Sequence, residues 1–131
     1  MNIIDRLFRA KKQCDDISLQ IEYLKASYML VAEKLGICWY YADKDGYTKD
    51  CGRHTLDLYK LTKEAVVIVK WMDFVFPDDL SNVLTHWRYS VAMKKAFELK
   101  FRTYIGNGEL IKIHSKAVRV GDDYFGEITL L

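Results

Sequence analysis

The chain has little of what would tie it to a secreted, membrane-spanning or polyanion-binding class. Cysteine is scarce: Cys14, Cys38 and Cys51 are odd in number, widely spaced and without a CxxC or histidine partner. That argues against a disulfide framework or a zinc site and reads as reduced thiols in a cytoplasmic protein. No apolar run approaches the roughly 20 residues of a membrane helix, and no signal-peptide pattern leads the fold. Neither sign of charge dominates, since 20 basic and 18 acidic residues leave a net +2. A nucleic-acid binder usually shows a basic stripe, so no nucleic-acid partner is expected. Proline occurs once, at Pro77. With half of its 131 residues hydrophobic and 29% charged, the chain is an ordinary folded domain of one core, not a disordered segment.

What is present is clearest in residues 97–131, which read as three antiparallel strands. Phe97, Leu99, Phe101 and Thr103 share one parity, and Glu98, Lys100 and Arg102 the other, the alternation of a sheet with one wet face. Gly106, Asn107 and Gly108 supply residues that tolerate positive φ in a hairpin. The second strand repeats the pattern: Ile111, Ile113, Ser115 and Ala117 face one way, Lys112, His114 and Lys116 the other. A second turn at Gly121-Asp122-Asp123 returns Tyr124, Gly126, Ile128 and Leu130 to the same inner face. An apolar concave face of this kind needs a lid.

At the other end, Ile3, Leu7, Ala10, Cys14, Ile17, Ile21, Leu24, Tyr28, Val31 and Leu35 alternate spacings of four and three without a break. A strict heptad favours a left-handed coiled coil over a simple amphipathic helix; the alternative is a helix broken near Asp15-Asp16 whose second half packs on its own domain. The predicted division is a helix over 1–35, capped by Asn2 and stopped at Gly36, and a globular domain over 36–131. The expected dimer interface runs through Leu7, Cys14, Ile17, Ile21, Leu24, Tyr28 and Val31. Next, 36–51 reads as a β-hairpin turning at Asp43–Gly46, and 53–63 as a short helix or turn. The β-branched run EAVVIVK at 64–70 is ambiguous between helix and strand. Pro77, Asp78 and Asp79 suit a helix start. Leu80, Val83, Leu84, Trp87 and Val91 then form one apolar stripe, which predicts the missing lid.

This order of elements resembles a PAS domain from about residue 35 to the end. WMDFVFPDDL at 71–80 resembles the family's Pro-Asp-Asp start of its long helix, with Phe76 where a histidine is usual. FELKFR at 97–102 with Gly108-Glu109 resembles its FExEYR…dGe hairpin, and GEIT at 126–129 its closing G…DIT. The resemblance implies an α+β fold: a five-stranded antiparallel sheet with short helices packed on one face, preceded by a long N-terminal helix. It also implies a sensory or protein-interaction module of a larger signal-transduction protein. Such a module forms a homodimer and relays to an output domain of the same polypeptide, a histidine kinase or a diguanylate cyclase. The chain stops just beyond Thr129, where such domains hand over to their output.

No catalytic residues are expected, because the pairs Asp15-Asp16, Asp78-Asp79 and Asp122-Asp123 stand where helix starts and turns explain them. The alternative within the family is a haem or flavin sensor of gas, redox state or light. In haem-binding relatives the ligand lies about two turns beyond the proline, which is Leu84 here. His86 is two residues on, and so rotated by about 200°. The light-sensing branch carries a reactive cysteine followed by Arg-Phe-Leu-Gln; Cys51, in DCGRH, lacks that continuation. No cofactor and no metal site is therefore expected. The expected pocket wall is Trp39, Tyr41, Leu84, Trp87, Phe101, Ile113, Ser115 and Ile128, a set that can also fill a core without a cavity. Ser115 is the polar member that would orient a ligand.

Overall fold

A computed structural model of the chain describes residues 2–6 and 17–131. Asn2 caps a helical turn over 3–6, its Oδ1 accepting the Asp5 N–H at 2.8 Å. Helix α1 runs Ile17–Leu35, and the part of the predicted seam at 7–16 lies outside the described residues. Gly36, at φ 71°, stops α1, and the Ile37 N–H bonds back to the Ala32 carbonyl at 3.0 Å. That left-handed residue lets the chain reverse into a strand at little cost. Strands β1 (Cys38–Ala42) and β2 (Thr48–Cys51) form the predicted hairpin. Asp43 Oδ1 accepts the N–H groups of Asp45 and Tyr47 in its turn.

Three short elements follow: α2 (Arg53–Tyr59), α3 (Lys63–Val66) and a 3-10 turn (Trp71–Phe74). Thr62 settles the ambiguous run as a helix start, its Oγ1 accepting the Ala65 N–H at 3.1 Å. Helix α4 (Pro77–Met93) begins at the proline, as predicted. The Asp79 carboxylate in its first turn takes Arg102 in a two-oxygen fork, with Nε to Oδ2 at 2.9 Å and Nη2 to Oδ1 at 2.7 Å. This ties the helix start to β3 (Phe97–Tyr104), which continues through β4 (Leu110–Val120) and β5 (Asp123–Leu130).

The strands form one antiparallel sheet in the order β2-β1-β5-β4-β3. Its inner face carries the main core, including Tyr40, Ala42, Val83, Trp87, Phe97, Phe101, Ile113, Ala117 and Tyr124. Its outer face carries a second cluster, Ala32, Trp39 and Phe125, with Tyr28, Met29 and Tyr41 packed against it. Helix α1 therefore lies over the sheet's outer side, opposite the other helices. The predicted parity of β3, β4 and β5 holds: Phe101, Thr103, Ile113, Ser115, Ala117, Tyr124 and Gly126 are all buried.

β1 is the exception. Trp39 and Tyr41 were expected inside, but Tyr40 and Ala42 face the core, and Trp39 and Tyr41 face α1. A strand covered on both sides loses the polar–apolar alternation from which parity is read. In CWYYA both candidate faces are aromatic.

Candidate functional site

Between the inner face of the sheet and the segment 53–74 lies a cavity of about 40 Å³. Its floor is Tyr40 on β1, Phe101 and Thr103 on β3, Ile113 and Ser115 on β4, and Ile128 on β5. Its roof is Thr55 and Tyr59 of α2, Val66 of α3, and Trp71 and Phe74 of the 3-10 turn. The predicted wall is thus brought together in part. Phe101, Ile113, Ser115 and Ile128 line the cavity. Leu84 and Trp87 belong to the adjoining core over β3, where Trp87 meets Trp71 edge-on at 5.2 Å and donates its N–H to the Lys44 carbonyl at 2.8 Å. Trp39 and Tyr41 are on the far side of the sheet. The lid over the cavity is the run of short elements before α4.

Position 40 depends on a neighbour with no side chain. Gly126 sits opposite Tyr40 in register, and a Cβ there would come within 2.6 Å of Tyr40 Cε1. The glycine leaves room for the phenol to lie flat along the sheet and reach β4. There its hydroxyl and the Ser115 hydroxyl share a hydrogen bond of 2.9 Å, both residues buried. Burial pushes the Tyr40 phenol well above its ordinary range, and that of Tyr59 up as well. Both are neutral hydroxyls at ordinary pH. Thr103 Oγ1 lies 3.4 Å from the Tyr59 hydroxyl and donates to the Phe74 carbonyl at 3.0 Å. The indole N–H of Trp71 is buried without an acceptor among the described residues.

Thr103 was on the predicted inner parity and could have been named from it. Tyr59 and Trp71 stand in short irregular elements with no period to place them. None of the three histidines lines the cavity: His86 is exposed, His54 bonds the Glu33 carbonyl, and His114 meets Glu98 on the outer face. Cys51 is buried, its thiol pushed up to about 12 chiefly by that burial, the reverse of what a reactive thiolate needs. Among the described residues no cluster of His, Cys, Asp or Glu could hold a metal. Among the described residues no histidine or cysteine lines the cavity.

The second candidate surface is α1. Tyr28 donates to Glu127 Oε2 at 2.7 Å and meets Phe125 edge-on at 4.7 Å, while Ala32 is fully buried. Phe125 in turn stacks on Trp39 at 5.4 Å. The other described seam residues are bare: Leu24 is 63% exposed, Val31 54% and Leu35 69%. At 100° per residue, these three fall within about 20° of one line, and Ala32 lies about 80° round from it. Helix α1 therefore has two apolar faces, one covered by its own sheet and one uncovered. Leu7 and Cys14, and the side chains of Ile17 and Ile21, lie outside the described residues. No helix among the described residues is long and apolar enough to cross a membrane.

No family profile matches the chain, and no curated protein is similar to it in sequence. Solved structures are similar in shape. The PAS domain of a protein from Colwellia psychrerythraea superposes with a TM-score of 0.68 at 14% identity, covering 82% of this chain and 97% of that one. A domain of a sensory box sensor histidine kinase/response regulator from Geobacter sulfurreducens gives 0.68 at 12% identity, over 82% and 94%. The PAS domain of the RpfR quorum-sensing receptor from Cronobacter turicensis, solved in complex with BDSF, gives 0.66 at 12% identity, over 73% and 94%. At such identities shape alone is shared. With the strand order and the helices on the inner face, it settles the architecture: the chain has the PAS fold.

Proposed function

We propose that this chain is a non-catalytic sensory or protein-interaction module of a larger cytoplasmic signalling protein. It pairs with a second copy through α1 and passes its signal to an output domain of the same polypeptide. The observation that carries this reading is the pair of faces on α1. On a helix anchored by Tyr28 and Ala32, Leu24, Val31 and Leu35 stay largely exposed along a line about 40° from Tyr28 and about 80° from Ala32. In a parallel pair these would meet their copies across a heptad seam. The helix also touches the sheet directly behind the cavity: Glu127, which holds Tyr28, follows Gly126, against which Tyr40 lies. A change in the cavity has one strand to cross before it reaches the pairing helix.

A cofactor-free module is favoured over a haem or flavin sensor by the small cavity and by the absence of the three histidines, Cys38 and Cys51 from its lining. Light scattering tests the pairing. The chain should run as a dimer, and Leu24→Asp with Val31→Asp should give a monomer. Leu30→Asp, equally exposed but off the seam, should leave the dimer intact. A monomeric wild type, or a dimer indifferent to the seam substitutions, would remove α1 pairing from the reading.

A further inference from the structure

Beyond α1 the outer face of the sheet is open, and its charges do not balance. It carries Lys100 and Arg102 on β3 and Lys112, His114 and Lys116 on β4, the parity opposite to the buried set. Register sets Arg102 opposite Lys112 and Lys100 opposite His114. Like charges directly opposed across two strands are unfavourable, so the sheet itself gains nothing from this arrangement. The carboxylates that meet this face are already engaged. Asp79 holds Arg102 at 2.7 Å, Glu98 holds His114 at 2.9 Å and Lys116 at 3.8 Å, and Glu127 accepts from Tyr28 at 2.7 Å. Lys100 and Lys112 are exposed and have no ion pair among the described residues.

This basic band is bounded by apolar groups. At one end Tyr104 pairs with Leu110 across the strands, both exposed. At the other, exposed Val118 lines a groove of about 690 Å³ between α1 and the sheet, together with Tyr28, Val120 and Phe125. From Leu110 to Val118 is eight strand steps, about 26 Å, the length of about 18 helical residues. Because β4 lies between β3 and β5, a partner crossing this face meets side chains and no free backbone groups. It must satisfy its own backbone, as a helix does and a lone extended strand does not. Charge then selects among helices. A second copy of this face has the same sign. The chain's own segment before α1 holds Arg6, Arg9, Lys11 and Lys12 against Asp5, Asp15 and Asp16, so it brings no net negative charge. Two free lysines are too few to hold a nucleic acid, which is bound through many phosphate contacts.

Resting on the interaction-module part of the reading above, we propose that the outer face of β3 and β4 docks an acidic amphipathic helix of another polypeptide. Its carboxylates lie over Lys100 and Lys112, and its apolar ends over Tyr104–Leu110 and Val118. The probe is a fluorescein-labelled helical peptide of about 18 residues, with leucine at both ends of one face and glutamate on the middle turns of that face. Anisotropy with the full chain should show saturable binding in the micromolar range, weakened by added salt. Lys100→Glu with Lys112→Glu should weaken it about tenfold, and Val118→Asp should weaken it as well. Lys63→Glu, an equally exposed charge on α3, should leave it unchanged. All four positions are exposed, so the variants keep the fold. Absence of saturable binding, equal binding of a peptide with lysine for glutamate or with its order shuffled, or equal losses at Lys63 and at Lys100 with Lys112 would overturn the proposal. So would binding of phosphatidylserine vesicles or duplex DNA in place of the peptide. Light scattering on the same samples separates this surface from α1 pairing. A dimer that ignores the peptide refutes the surface and leaves the pairing; a monomer that binds it does the reverse.

Discussion

The two faces of this sheet are built to different rules. The inner face is closed by its own chain: Phe97, Ile113, Tyr124, Thr103 and Ser115 are almost fully buried, and interlocking rings join α4 to the strands. The outer face is closed over only part of its area, by one helix that rests on Ala32, Tyr28 and Met29. Beyond that helix Val118 is 58% exposed. A surface covered on one side by a half-apolar helix is suited to rearrangement and to partners, whereas an interlocked core is suited to holding shape. On the proposed reading, the fold places its stability on one face and its pairing helix on the other.

The sharpest test of that division removes a piece of the inner face. Trp87 touches Trp71, Phe97 and Tyr124, so Trp87→Ala should cost about 3–5 kcal/mol in denaturant unfolding. His86, the next residue back, is exposed, and His86→Ala should stay within about 0.5 kcal/mol. Equal midpoints for the two variants would mean that the inner face does not carry the stability assigned to it.

On the outer face, Ala32→Glu places a charge where Ala32 is fully buried between Trp39 and Phe125. It should cost about 1–3 kcal/mol locally by lifting α1. Hydrogen exchange is the measurement: amides of α1 should lose protection while those of β3 and β4 keep theirs. If the strands loosen together with the helix, the two faces are one cooperative unit and the comparison fails.

The same contrast governs how much could be read from the sequence. β3, β4 and β5 are wet on much of one face, so charge alternation fixed the parity of Phe101, Ile113, Ser115 and Ile128 and with it half of the cavity floor. β1 is sandwiched between α1 and the core, and its Trp39-Tyr40-Tyr41 run holds no polar residue to break the tie. The roof comes from α2, α3 and the 3-10 turn, each too short to express a period. Tyr59 and Trp71 were therefore invisible as wall residues, while the long α4 drew Leu84 and Trp87 into a role they do not have. The heptad was legible as spacing, but spacing could not tell that Tyr28 would turn to its own sheet. Long elements with one wet side announce themselves; short or doubly covered ones do not.

A milder probe of the outer face is Tyr28→Phe, which deletes the hydroxyl that Glu127 accepts at 2.7 Å and keeps the edge contact with Phe125. The loss should be about 0.5–1.5 kcal/mol, seen as faster exchange at the α1 amides with unchanged protection in β3. Unchanged exchange throughout would show that Glu127 is satisfied by water as well as by Tyr28, and that Phe125 and Ala32 alone hold the helix.

The smallest expected effect lies where α4 meets β3. Asp79 is held down from 3.8 to about 2, first by the Arg102 side chain and then by the Arg102 backbone N–H. Its folded value is thus below the unfolded one, so the carboxylate stabilises the fold above about pH 4 and ceases to do so as pH falls through about 2. Arg102 is exposed and Asp79 partly so, and there screening and side-chain freedom reduce such a fork to a small contribution. Urea midpoints of wild type and Asp79→Asn at low salt should differ modestly from about pH 5 to 7, and the gap should close as the pH falls from about 4 to 2. Added salt should narrow the gap at neutral pH, because the screened interaction is the one being measured. A gap that persists at pH 2 would trace instead to the uncharged geometry of the helix start. The contact would then join α4 to the sheet by shape, as the rest of the inner face does, with no part played by charge.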